Sequence, residues 1–302
     1  MRKIILILIS CLIITPVYAD KLLKNGFLNK KMNYAKDQNI NDLKNKIILI
    51  YNHGQDEHDD PSKKCVWKNG IRNFSSLVGE KISGKEIMLY LFCTGSLAGD
   101  DRKRLWNKKK FKEPYKGKPK LEKRLDANLK LIEDFAAQGF NKKQIFLTGR
   151  SCGGWMTMML LSRYQDIVAG GISFVPECYG RLTKMYKVKK VGVEEALKKF
   201  KEKDGFGPAN MRQMQIDEIK KSSNLPVLVF THPKDPFGGL LSDWVEEASG
   251  VERIVISQDN KVNGKSCSVW GKPIKNYHDM DRANCFKEFN PKILDFIASR
   301  VD

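Results

Sequence analysis

The chain is 302 residues long and carries 54 Lys and Arg against 35 Asp and Glu, a formal charge of +19. With 41% apolar and 29% charged residues it is not a disordered polymer, a collagen or a polytopic membrane protein, and its length suits one large α/β domain or two small ones. The charge invites an anionic partner, but it bears on partners and solubility rather than on fold.

Met1-Arg2-Lys3 precedes an apolar run from Ile4 to Ile14, and Val17 and Ala19 place small residues just before Asp20. This describes a secretory signal peptide over residues 1–19; the run falls short of the roughly 18–20 residues needed to span hydrocarbon. Leu8-Ile9-Ser10-Cys11 also has the form of a lipobox, which would lipidate Cys11, although it comes early and inside the apolar run. Cleavage leaves residues 20–302, with 52 basic and 35 acidic residues and a charge of +17. It also leaves six cysteines: Cys65, Cys93, Cys152, Cys178, Cys267 and Cys285. An even count in a secreted or periplasmic chain points to disulfides, and six reduced, buried thiols are the alternative if export fails.

Residues 20–45 read as a polar lead-in with one short strand. Lys46 to Asn52 is a continuous β-branched run, as expected of a strand covered on both faces of a parallel sheet. Ile87 to Phe92 is a second strand. Leu121, Leu125, Leu129, Ile132 and Phe135 recur at helical spacing until Gly139. Strands follow at 144–148, 167–175, 225–230 and 253–256, with a helix from about Trp155 to Arg163 and a last one from about Asn290 to Arg300. The alternation predicts an α/β fold with a doubly wound, mostly parallel sheet in a single domain. Residues 100–120, rich in Lys and Pro, and a cap-like polar helical insertion at 179–224 interrupt it after strand ends, where ligand-facing loops belong.

Gly149-Arg150-Ser151-Cys152-Gly153-Gly154 joins the strand at 144–148 to the next helix. It is a Gly-x-Ser-x-Gly turn in strand–turn–helix context, where glycines let strand and helix approach and the helix N-terminus favours negative charge beside Ser151. At these residues the chain resembles the α/β-hydrolase family, in particular its dienelactone-hydrolase-like and prolyl-oligopeptidase-like esterases and peptidases, over about residues 46–300. The resemblance implies a nucleophile, an acid and a histidine in that chain order. Asp235, in the loop after strand 225–230, holds the acid's place, with Asp243 and Asp259 as weaker candidates. His278 is the only histidine after Asp235 among four; His232 precedes it and would need a different geometry. The resemblance places the oxyanion donors on the backbone N–H groups of Cys152 and Gln55, the latter in the loop Asn52-His53-Gly54-Gln55. His53 is expected to stabilise that loop.

Dienelactone hydrolases themselves use a cysteine nucleophile; here the serine stands at the elbow, which points to esterase or peptidase chemistry. Strand positions suggest disulfides Cys152–Cys178, Cys267–Cys285 and Cys65–Cys93. Asp56-Glu57-His58-Asp59-Asp60 matches no EF-hand or zinc spacing, so no metal and no cofactor are expected. The basic stretches 102–104, 108–110 and 184–190 read as solvated faces rather than a nucleic-acid footprint, although the first and last flank the expected active-site rim. The expectation is an exported serine hydrolase acting on an ester or amide, its substrate a small molecule or polymer that can be anionic, with no nucleic-acid partner and no membrane span after cleavage. A catalytically inactive, hydrolase-like binder of anionic polymers or surfaces is the alternative.

Overall fold

The computed structural model describes residues 21–22, 25–35, 42–54, 66–67, 71–93, 120–204, 206–256 and 261–301. The central sheet is built from β1 (Gly26–Leu28), β2 (Lys46–Asn52), β3 (Lys85–Phe92), β4 (Ile145–Arg150), β5 (Gly170–Phe174), β6 (Val227–Thr231) and β7 (Val251–Val255). A short strand, Lys81–Ile82, pairs with β3 and brings the described sheet to eight. Across the sheet the order is β1-β3-β2-β4-β5-β6-β7, parallel from β3 to β7, with β1 antiparallel at the edge.

The β2 run shows why this sheet forms. Ile48 and Ile50 enter the core on one face, while Ile47, Leu49 and Tyr51 enter the core on the other. Side chains alternate along a strand, so a continuous apolar run satisfies two cores at once. The first face is covered by α1 (Lys120–Ala137) and α2 (Cys152–Arg163), together with the insertion, which folds as α3 (Leu182–Met185), α4 (Val188–Val191), α5 (Val193–Asp204) and α6 (Phe206–Lys220). The second face is covered by α7 (Asn290–Ala298) and the 3-10 turns at 72–77 and 277–289.

Helix α1 stops where the spacing predicts. Gly139 takes φ +101°, its N–H donates to Ala136 O at 3.0 Å, and the Phe140 N–H reaches Phe135 O at 3.1 Å. This left-handed cap satisfies carbonyls that the helix end leaves open. The strand expected over 167–175 is shorter, at Gly170–Phe174. Asp166 and Val175 have φ of 60° and 42°, outside the extended region, so Ile167 and Val168 reach the core from a turn instead. Register brings Asn52 beside Gly149 and Arg150 beside Phe174, so the loops leaving β2, β4 and β5 meet at one edge. No described helix is long and apolar enough to cross a membrane.

Candidate active site

Ser151 sits between β4 and α2 with φ 53° and ψ −126°. A non-glycine residue held there carries strain of about 1–3 kcal/mol, which the surrounding packing must impose. The packing is tight enough to do so. A Cβ on Gly149 would stand 2.6 Å from the Asn52 carbonyl oxygen, and one on Gly154 would stand 2.5 Å from Ser173 Oγ. On Gly153 a Cβ would run into the backbone of Asn52. Strand, elbow and helix therefore meet only if those three positions lack side chains.

Asp235 and His278 arrive from distant loops and meet. Nδ1 of His278 lies 3.0 Å from both Asp235 carboxylate oxygens, and both side chains are buried. The other ring nitrogen, Nε2, has no hydrogen-bond partner among the described residues. In the tautomer whose Nδ1–H donates to the carboxylate, the ring's lone pair is on Nε2. Phe237 stacks on the imidazole with centroids 3.9 Å apart, and its N–H donates to Asp235 Oδ1 at 2.9 Å. The ring is thus held in plane by its acid and from above by an aromatic face. Ser151 Oγ donates to the carbonyl of Glu177 at 3.2 Å, rather than to His278.

Arg150, the residue before Ser151, ties the elbow to the histidine loop. Its guanidinium donates to the His278 carbonyl at 2.9 Å and to Asp279 Oδ1 at 3.1 Å, and its Nε lies 3.0 Å from Asp281 Oδ1. Burial pushes the Asp281 carboxyl above its ordinary range, against the pull of Arg150 and Arg282. On the other side of Ser151, the buried Glu177 accepts from the N–H groups of Cys178 and Tyr179 at 2.9 and 2.8 Å and pairs with Arg212 at 3.2 Å. Arg212 lies 5.6 Å above the Trp155 ring, and Gln215 accepts from both Trp155 and Tyr179. Motif spacing did not point to Arg150, Glu177, Arg212 or Asp281. The one readable trace was a charged residue inside an otherwise small or apolar stretch, as at Glu177 in Phe174-Val175-Pro176-Glu177-Cys178.

The structure joins Cys152 to Cys178 and Cys267 to Cys285. The first bond couples the residue after Ser151 to the residue after Glu177; the second closes the segment that carries His278. Cys93 is disulfide-bonded as well, and Cys65, its expected partner, lies outside the described residues. Gln55, Asp259, the acidic stretch 56–60, the signal segment 1–19 and the basic stretches 102–104 and 108–110 also lie outside them. The loop leading to Gln55 does reach the elbow: a Cβ on Gly54 would stand 3.4 Å from Ser151 Cβ. That loop is held from α1, where Arg124 donates to the His53 carbonyl at 2.7 Å and Asn128 donates to the Asn52 side chain. His53 Nδ1 lies 2.8 Å from the Gly54 carbonyl oxygen.

The other candidates are placed elsewhere. His232 Nδ1 accepts from the Lys234 N–H at 2.9 Å while its ring stacks on Tyr277, which fixes the turn that presents Asp235. Asp243 pairs with Arg253 at 2.7 Å on the surface. Among the described residues no group of three His, Cys, Asp or Glu side chains could hold a metal ion.

The sheet order with its antiparallel edge strand, and the strained serine between the central strand and its helix, are those of the α/β-hydrolase fold. No protein-family profile matches the sequence, and no curated protein matches it. Solved structures with a similar chain course include an esterase of Rhizomucor miehei, at 12% identity and TM-score 0.49, over 92% of this chain and 83% of that one. Brefeldin A esterase, described as a bacterial homologue of human hormone-sensitive lipase, is 13% identical with TM-score 0.48 over 99% and 80% of the two chains. An esterase of Pyrococcus furiosus is 14% identical with TM-score 0.48 over 86% and 85%.

Proposed function

We propose that this chain is an exported serine hydrolase that cleaves a carboxylic ester, or an amide, through Ser151, His278 and Asp235. The observation that carries the reading is the buried Asp235–His278 pair, with Nε2 left unpartnered, at the same sheet edge as a serine in strained elbow geometry. Turning Ser151 Oγ away from the Glu177 carbonyl toward Nε2 starts the reaction. His278 takes the hydroxyl proton as the oxygen attacks the substrate carbonyl, and Asp235 holds the imidazole in the required tautomer. The backbone N–H of Cys152, in the first turn of α2 and without an intrahelical acceptor, donates to the oxyanion together with that of Gln55. Protonation of the leaving group by His278 leaves an acyl-enzyme on Ser151, which water, deprotonated by the same imidazole, then hydrolyses. Two described disulfides around the site support an oxidising compartment, in keeping with the signal-like residues 1–19.

A fluorophosphonate probe tests this directly. Labelling of wild type on Ser151, with no label on Ser151→Ala, and a loss of about 10⁴-fold or more in hydrolysis of a short acyl ester by that variant are expected. An unlabelled wild type that is inactive on esters and amides would instead fit a non-catalytic binder.

A further inference from the structure

The insertion carries an arrangement of charge that the proposed reaction does not use. Lys184, Lys187, Lys189 and Lys190 share a cleft of about 420 Å³ with Lys234, Thr183 and Pro236. No carboxylate lines it among the described residues, and the first four lysines form no ion pair with a described residue. Two other lysines of the insertion are paired, Lys199 with Glu195 at 3.2 Å and Lys220 with Glu247. The cleft adjoins the loop that holds the acid. Lys234 and Pro236 flank Asp235 in sequence, and the Lys184 N–H donates to the Pro236 carbonyl at 3.1 Å. Thr183 Oγ1 donates to the Gly238 carbonyl at 2.6 Å, and Phe237, between these anchors, is the ring stacked on His278.

Lys184, Lys187, Lys189 and Lys190 border one concavity whose described lining holds no carboxylate, so its potential is positive and a multiply charged anion is favoured there. Lysine is a flexible point charge without the planar fork of arginine, so such a cleft selects for number of charges rather than for one geometry. We propose that this cleft is the subsite for the non-reacting part of the substrate, a group bearing two or more negative charges as carboxylate or phosphate. The proposal rests on the serine-hydrolase reading and adds the substrate class to it.

The test compares three 4-nitrophenyl esters: acetate, tricarballylate with two free carboxylates, and phosphonoacetate. Wild type is expected to prefer at least one dianionic ester to acetate by kcat/KM, and whichever is faster distinguishes carboxylate from phosphate. In the triple variant Lys187→Gln, Lys189→Gln, Lys190→Gln the ratio of dianionic to neutral kcat/KM should fall about threefold per charge, or about 30-fold in all, and 0.5 M salt should erase most of the wild-type preference. A ratio unchanged by the variant, or no wild-type preference for either dianion, overturns the subsite. If no ester turns over and the fluorophosphonate leaves Ser151 unlabelled, the hydrolase reading fails on its own. Calorimetric titration with tricarballylate and with inorganic phosphate then decides the cleft: binding lost in the triple variant retains an anion site, while no wild-type binding or equal binding by both proteins overturns it.

Discussion

Replacing Arg150 with methionine keeps the bulk of the stem and removes a guanidinium whose side chain is 8% exposed from a carboxylate, Asp281, that is fully buried. Breaking a buried pair from one side leaves an uncompensated charge and costs about 3–5 kcal/mol. Arg282 also acts on Asp281, so the expected loss lies near the lower end, about 3 kcal/mol. The pH dependence has a definite sign. Burial raises the folded-state pKa of Asp281, so in the window above its ordinary value the folded chain holds a proton that the unfolded chain releases. Its contribution to stability therefore falls as pH rises through that window. Removing Arg150 takes away one of the charges that pull this pKa down, so the damage is greatest near neutrality and shrinks on acidification. Urea unfolding of wild type, Arg150→Met, Asp281→Asn and the double variant, at about pH 7.5 and about pH 5, measures this. The double variant should be more stable than Arg150→Met alone, because the orphaned charge is gone. A loss below about 1 kcal/mol at neutral pH, or one that grows on acidification, would refute the reasoning.

Asp235→Asn should lower kcat by about 10⁴-fold near neutral pH with the far-ultraviolet circular dichroism unchanged, because the amide no longer enforces the tautomer that leaves Nε2 free; activity within tenfold of wild type would remove Asp235 from its role. Gly153→Ala drives a methyl group into the Asn52 backbone and should cost more than about 3 kcal/mol or prevent soluble expression. Gly180→Ala is the comparison, since it has φ +93° but open space around the added Cβ, and it should cost only about 1 kcal/mol. Equal melting temperatures for the two variants would show that close approach at the elbow is not what demands glycine.

Much of the architecture was legible from local pattern because local pattern is set by what a strand or helix must bury. The run Lys46–Asn52 announces a strand with two covered faces, and the spacing through Leu121–Phe135 announces a helix with one. The same holds for the elbow: a serine among glycines, between a strand and a helix, states its backbone requirement in six consecutive residues. The chain positions of Asp235 and His278 were implied by the resemblance to the α/β-hydrolase order of nucleophile, acid and histidine, in loops at the carboxyl edge of a parallel sheet.

Other features had no local signature. The shortened strand at Gly170–Phe174 reflects turns at Asp166 and Val175 that apolar content alone does not reveal. Arg150 reads as a variable position inside a motif, yet its partner Asp281 lies in another loop and shares with it only the third dimension. Glu177 looks like an isolated charge until Arg212 arrives from α6. The lysines at 184–190 looked like a solvated composition bias, and only the fold of the insertion against Lys234 and Pro236 makes them one cleft. Sequence determined the elements and their order because hydrophobic period and backbone sterics act between neighbours in the chain. Tertiary structure decided which charges are buried, paired or left facing one another, because desolvation and Coulomb energy depend on distance in space.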